Sequence, residues 1–574
     1  MVTLRFRRAS ETHARSEFQA ASDAAKARAW LATLAPADSP ENLKRIGEYI
    51  GEVMEGPLGP ARKYEIIDRV RVVLYTQLRD RVRVLEFRPV PLLANEAEPV
   101  WSLIDTCEDL REAYELLIPR LGDDPHEVPV SRASPGREEG LAPVATKVMA
   151  LHRALDTNAH VLVLYLRLRV AVPERLWDQH CRLGQLARQL GVSNVEVEDP
   201  LHSSLTETCR EAFNLPLLLA LADPTMLSPP EFLAAMACAL RWASKVGFRI
   251  DSALELGGPP VRPATNPGPV IQLAGNEHQV RLDTQRVLKS VEHRLALLDE
   301  GNSPHSLGLG DSIGPAASRN LLAGLLRRWG TVMPESIDFP EQVWRPSPSE
   351  FALAAIGAAQ GADGPHRHIS TLTGSITYDY TRMPEDALTR TRGEIERARI
   401  EQMLEEAETW SVVGEVPDSV LCMRRHVRPR LNLGQLIGLK LGGKVGPIPF
   451  LLGSVQGLQQ GINDNSQGVA RPASTHLVRI RLIPGLPQPV RAALDQVDIE
   501  PAYLMVPNAV PLDDAPIWDR VRAAPTQYAL VLPAATFRPA RTLRVVAEGT
   551  PTALRLEELV HRGLDYDHVL FRLV

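Results

Sequence analysis

The chain is poor in the features that would assign it quickly. Its 574 residues contain five cysteines, Cys107, Cys181, Cys209, Cys238 and Cys422, odd in number, scattered and never spaced as CxxC. That excludes a disulfide scaffold and a zinc ribbon. The thiols read as buried and reduced, the usual state in a cytosolic protein. Long hydrophobic runs are missing as well. The most apolar stretch, residues 161–172 (VLVLYLRLRVAV), is too short to span a bilayer and carries Arg167 and Arg169. It is expected to be a buried helix or strand segment. The opening residues MVTLRFRRASETHARSEF have no apolar core of the kind a signal peptide needs, so a cytoplasmic location is expected. Nor is there an excess of positive charge. Against 70 acids stand 64 bases, a net charge of −6, which argues against a general nucleic-acid binder.

Catalytic signatures are equally scarce. Gly453-Ser454-Val455-Gln456-Gly457 lacks the GxSxG spacing of a nucleophile elbow and lies in an expected strand. Gly308-Leu309-Gly310-Asp311-Ser312-Ile313-Gly314 has one residue too many for a dinucleotide fingerprint and follows a helical pattern, not a strand, so it reads as a turn. His366 and His368 are two residues apart, and only a strand could aim both at one metal. No HExxH, phosphate-binding loop or kinase signature occurs. The expectation is a protein without enzymatic activity and without a metal or cofactor.

What the sequence does contain is a change of period along its length. In residues 42–54 the apolar positions Leu43, Ile46, Ile50, Val53 and Met54 follow the helical period. Ser39-Pro40-Glu41 precedes them as a cap signature and Gly56-Pro57 follows as a stop. Further helices are expected over residues 61–86, 99–119, 142–170, 173–191, 203–221, 229–246, 283–298 and 316–329. Leu43, Ile46, Ile50, Ile67, Val70 and Leu74 should be buried. Residues 340–365 read as loop, 369–380 as strands and 385–408 as a charged connector helix. From Trp410 onward short apolar or alternating runs separated by Gly, Pro or Asn argue for antiparallel β structure. The expected fold is thus multi-domain α+β: a helical region at 1–246, a mixed middle region at 247–383, a connector helix at 384–408, a β-barrel at 409–500 and a further β segment at 501–574.

The barrel region has a familiar pattern. Trp410-Ser411-Val412-Val413-Gly414-Glu415, Leu433-Gly434-Gln435-Leu436-Ile437-Gly438-Leu439 and Phe450-Leu451-Leu452-Gly453-Ser454-Val455-Gln456-Gly457-Leu458 together resemble the core of a PilZ domain. The likeness extends over about residues 280–574 and is similar to a long, multi-domain bacterial group in which a helical front precedes the barrel. It implies a regulatory protein that binds cyclic di-GMP and a protein partner engaged through the helical region or the barrel. Ligand-binding members carry RxxxR before the barrel and (D/N)xSxxG on it, and Gly414, Val416 and Ser419 occupy the second motif here. Arg390, Arg392, Arg397 and Arg399 lie upstream without making RxxxR. Arg424 and Arg428 make a literal RxxxR within RRHVR, which also holds Arg425. A planar guanidinium can clamp phosphate and stack on guanine. Arg392, Arg397, Arg424, Arg425 and Arg428 are therefore the candidate ligand residues. Two functions stay open: a cyclic di-GMP receptor, or a PilZ-like interaction scaffold that binds no nucleotide.

Overall fold

The computed structural model describes residues 24–34, 39–85, 92, 94–121, 145–197, 206–252, 270–272, 278–310, 313–330, 350–354, 408–416, 419–425, 431–441, 451–463, 471–494, 497–499, 502–506, 528–547 and 550–574. The chain divides into two compact units, Met1–Ile337 with Ile462–Arg471 and Asp338–Gly461 with Pro472–Val574.

Ten α-helices lie among the described residues of the first unit: α1 (Ala24–Thr33), α2 (Pro40–Glu55), α3 (Pro60–Leu85), α4 (Ala94–Leu117), α5 (Thr146–Arg167), α6 (Glu174–Gln189), α7 (Cys209–Leu221), α8 (Pro229–Trp242), α9 (Gln285–Asp299) and α10 (Pro315–Gly330). Local chemistry sets their ends. Ser39 accepts from the Asn42 N–H at the start of α2, Pro40 fills the first turn, where its missing N–H is not needed, and Gly56 closes the helix. Thr208 and Glu211 form a reciprocal capping box at the start of α7. Packing does the rest. Leu43, Ile46, Ile50, Ile67, Val70 and Leu74 are all buried, as the helical period requires. Helix α5 contains most of the apolar 161–172 run and is buried on every side, the pattern of a central helix. Between α8 and α9 runs a small antiparallel sheet in the order β1-β3-β2, from Gly247–Ser252, Val270–Gln272 and His278–Asp283. The indole N–H of Trp329 in α10 donates to the Leu218 carbonyl at 2.9 Å, tying α10 to α7.

The second unit is antiparallel β. Strands β4 (Glu350–Ala354), β5 (Glu408–Val416), β6 (Ser419–Arg425), β7 (Leu436–Leu441), β8 (Leu451–Asn463) and β9 (Arg471–Leu482) curl into a barrel in the order β4-β5-β6-β9-β8-β7. Val420, Cys422, Ile437, Leu451, Val455, Val478 and Ile480 fill its core. Alternation along each strand puts one residue in two inward. Strands β10 (Leu486–Pro489), β11 (Arg491–Leu494), β12 (Val497–Ile499), β13 (Tyr503–Val506), β14 (Ala529–Pro533), β15 (Thr542–Ala547), β16 (Thr550–Arg562) and β17 (Tyr566–Leu573) form an eight-stranded sheet, ordered β10-β13-β14-β17-β16-β15-β11-β12.

Helical front and β-rich back stand as the sequence implies. Three local readings differ. Residues 350–354, expected in a loop, form β4, a five-residue strand that pairs with both β5 and β7. Residues 486–499, expected to complete the barrel, pair instead within the eight-stranded sheet. The thirteen-residue β16 falls within the expected β segment but was not delimited as a strand. Its register against β17 shifts between Leu556 and Glu558 and again between Leu559 and His561, and such bulges destroy the two-residue period on which strand recognition depends. The strands expected over 369–380 lie outside the described residues. So does the connector helix, apart from Glu408, which opens β5.

Candidate functional site

In the barrel β5 and β6 carry the three positions that the PilZ resemblance aligns with its strand motif, Gly414, Val416 and Ser419. Val416 pairs with Ser419 across the turn, and Gly414 pairs with Leu421 next to a bulge between Val412 and Gly414. On its other side β6 pairs with β9, Ser419 opposite Arg481, Leu421 opposite Arg479, Arg424 opposite His476 and Arg425 opposite Thr475. The register thus brings Arg424 and Arg425 to the end of β6, six residues along the strand from the turn. Arg392, Arg397 and Arg428 lie outside the described residues.

Arg481 was not singled out from the sequence, yet it pairs directly with Ser419. Ser419 is buried and Arg481 exposed. The charge of Arg481 also reaches a ring cluster built by β16 and β17. Tyr566 and His561 stack with centroids 5.7 Å apart, and the phenol oxygen is 3.0 Å from His561 Nδ1. Burial, then the neighbouring His561 and the Arg481 guanidinium, push His568 down to about 4. Burial and Arg481 lower His561 too. Both imidazoles are therefore neutral near pH 7. A guanidinium whose charge reaches neutral, partly buried rings is a group that can meet a phosphate or stack on a base. The only sequence signal was the Arg479-Ile480-Arg481 alternation, which carries no information about its cross-strand partner.

The ring cluster rests on a tight joint between barrel and sheet. The Leu564 N–H donates to the Gly434 carbonyl at 2.7 Å, and the Leu436 N–H donates to Asp565 Oδ1 at 2.8 Å. Gly434 has a φ of +75°, and a Cβ there would meet the Leu564 nitrogen at 3.1 Å, so the close approach requires glycine. Burial raises the Asp565 carboxyl to about 6, against the pull of its backbone hydrogen bonds.

The helical unit holds a different polar group. Asp68 Oδ1 lies 2.8 Å from Arg71 Nε and 3.5 Å from Arg153 Nε, and accepts from the Tyr114 hydroxyl at 3.0 Å. Burial would raise this carboxyl, but the two guanidiniums and the hydrogen bonds outweigh it and hold it below the usual range. Thr206 donates to Asp156 at 2.9 Å, and His160 Nε2 is 3.6 Å from the other Asp156 oxygen. Burial drives His160 down to about 4, so it is neutral near pH 7. Positive and negative charges are balanced here, and the network reads as an internal brace between α3, α4 and α5.

Residues 25–252 match the family described as the cyclic-di-GMP receptor FimW, N-terminal domain. The match covers less than half of the chain and falls on the helical unit, not on the barrel where the sequence resemblance lay. No curated protein and no solved structure matches the chain. Among the described residues no group of three or more His, Cys, Asp and Glu could hold a metal ion, and no helix is long and apolar enough to cross a membrane.

Proposed function

We propose that the chain is a cytoplasmic, non-enzymatic cyclic di-GMP receptor of PilZ type, which passes the binding event to a protein partner. The observation that carries this reading is the match of residues 25–252 to the N-terminal domain of a family named for cyclic-di-GMP reception. A curled antiparallel barrel follows that region, which is where the PilZ resemblance would put the ligand. In this reading Arg392, Arg397, Arg424, Arg425 and Arg428 supply the cations that hold the two phosphates and stack on the guanines. Net charge is −6, so binding a dianion requires cations concentrated locally. Arg481, opposite Ser419, is a further cation at the other end of the β6–β9 pair from Arg424 and Arg425.

The second reading, an interaction scaffold that binds no nucleotide, is favoured by one observation. Gly414, Val416 and Ser419 stand where ligand-binding members have Asp or Asn, Ser and Gly, and the strand is bulged beside Gly414. Calorimetric titration of the full chain with cyclic di-GMP separates the two. The receptor reading predicts saturable binding; absence of heat and of any fluorescence-anisotropy change at high micromolar nucleotide selects the scaffold.

A further inference from the structure

The glycine-rich stretch after α9, which reads from the sequence as a turn, is built around two arginines. The Leu307 carbonyl accepts from Arg241 Nη1 of α8 at 3.1 Å and from Arg294 Nε of α9 at 3.2 Å. One oxygen therefore holds two guanidiniums side by side. Gly308 makes room for them. It has a φ of +74°, and a Cβ there would overlap Arg241 Nη2, so only glycine admits the guanidinium. Arg294 is fixed twice more. Its Nη1 donates to the Ser290 carbonyl at 3.3 Å, and its guanidinium carbon lies 4.8 Å from the centre of the buried Trp242 ring. Ser290 also brings in a third cation, because Lys245 Nζ donates to its hydroxyl at 2.9 Å.

Arg241, Arg294 and Lys245 are thus joined in one chain of contacts, and among the described residues no carboxylate is part of it. Burial, then the Arg241 guanidinium, hold Arg294 below the usual range, the mark of a like charge close by. The acids of α9 and its approach are engaged or placed elsewhere. Asp299 pairs with Arg319 at 3.1 Å, and Asp283 accepts from the Gln285 N–H at 3.2 Å. Glu292 is two positions from Arg294, a spacing at which helix residues do not face each other. The negative end of α8 accounts for Arg241 in its last turn, but Arg294 comes from within α9 and has no such support. Arg241 and Lys245 are exposed and Arg294 is partly buried, so the cluster is open to a ligand from solvent.

We infer that Arg241, Arg294 and Lys245 bind a terminal phosphate, the dianionic group carried by a phosphorylated side chain of a partner protein or by free phosphate. Two adjacent guanidiniums offer paired N–H donors to phosphate oxygens, and the lysine adds a point charge. Arginine clusters recur where phosphorylated segments are read. A dianion also offsets the repulsion that the Leu307 carbonyl and Gly308 impose by holding the two guanidiniums together. The site belongs to the helical unit and goes beyond the nucleotide reading proposed for the barrel, since each phosphodiester of a cyclic dinucleotide carries a single charge.

The test uses the full-length protein and phosphorus NMR of inorganic phosphate, with a glycine-flanked phosphoserine peptide and its unphosphorylated form as competitors. Saturable binding of phosphate is expected, with displacement by the phosphopeptide and not by the plain peptide. A phosphopeptide that binds tighter than phosphate identifies a partner's side chain as the source; the reverse order identifies the free anion. Arg241→Gln and Arg294→Gln should each weaken binding by about ten- to a hundredfold, the loss of one charge-assisted contact. Gly308→Ala should weaken it too, by crowding Arg241, whereas Arg319→Gln, which removes the partner of Asp299, should change nothing. Phosphopeptide binding should also fall as pH drops through about 6, where the phosphate takes up its second proton. No saturable binding at millimolar phosphate overturns the inference, as does equal displacement by the plain peptide or unchanged affinity in the arginine variants. If Arg294→Gln fails to fold, Arg241→Gln at its exposed position decides alone. Neither variant should alter a cyclic di-GMP titration, so this site and the receptor reading fail separately.

Discussion

Ser419, the first residue of β6, stands directly opposite Arg481 of β9 in the barrel register. This pairing puts an exposed cation next to the position where ligand-binding PilZ proteins end their strand motif. If the barrel holds cyclic di-GMP, Arg481→Ala should weaken it by about one to two decades, taking roughly 1.5–3 kcal/mol for a charge-assisted contact and about 1.4 kcal/mol per decade. Arg481 is exposed, so its removal should leave thermal stability nearly unchanged. Titration calorimetry and a melting curve on the same variant check both halves; unchanged affinity removes Arg481 from the site.

The Asp68 brace makes a prediction about acid stability. Its folded pKa is depressed by Arg71 and Arg153, so it contributes stability above the unfolded value of about 3.9 that is lost as pH falls further. Asp68→Ala leaves two buried guanidiniums facing one another. Loss of one partner of a buried pair costs roughly 3–5 kcal/mol, and the lower end applies because the Asp68 side chain keeps 23% exposure. Urea denaturation followed by far-ultraviolet circular dichroism, which reports the helices, measures it. A loss below about 0.5 kcal/mol, typical of a surface site, would show that the brace carries no weight.

Asp565 should behave in the opposite sense. Its folded pKa is raised to about 6 by burial, above the unfolded value of about 3.9. The stability it contributes is full below about pH 4 and declines as pH rises through 6. The two-unit difference sets a ceiling of about 3 kcal/mol, reduced because Asp565 retains partial exposure. Asp565→Asn keeps an oxygen for the Leu436 N–H and removes the charge. The variant should unfold later than wild type at pH 7.5 and flatten the wild-type decline between pH 4 and 7. Equal melting temperatures at pH 7.5 contradict this.

Much of this architecture is legible in the sequence, for reasons that particular residues make plain. Helix α2 could be placed almost to the residue because Ser39, Pro40 and Gly56 mark its ends and Leu43, Ile46 and Ile50 repeat at the period of its buried face. Strand β16 could not, because its two bulges break the alternation that a reader counts. Strand β4 is five residues in a loop-like setting, and long-range pairing with β5 and β7, not local propensity, makes it a strand. The candidate site was legible only in residue type. Arginines could be named, but which of them meet is a matter of register, and nothing in Arg479-Ile480-Arg481 announces that Ser419 lies across from it. Arg167 and Arg169 entered first as reasons against a membrane span, and only the fold shows both buried and donating to backbone carbonyls.

The proposed receptor holds cyclic di-GMP through arginines at the barrel. Its most direct test is calorimetric titration of the full-length protein beside two double variants, Arg424→Ala with Arg428→Ala and Arg392→Ala with Arg397→Ala. At roughly 1.5–3 kcal/mol per contact and about 1.4 kcal/mol per decade, losing two clamps should weaken binding by about two to four decades. Such a receptor should show saturable binding by the wild type and a loss of that size in at least one variant. Wild-type binding with both variants unweakened would move the site away from these arginines, and no binding by the wild type at high micromolar nucleotide would contradict the receptor outright.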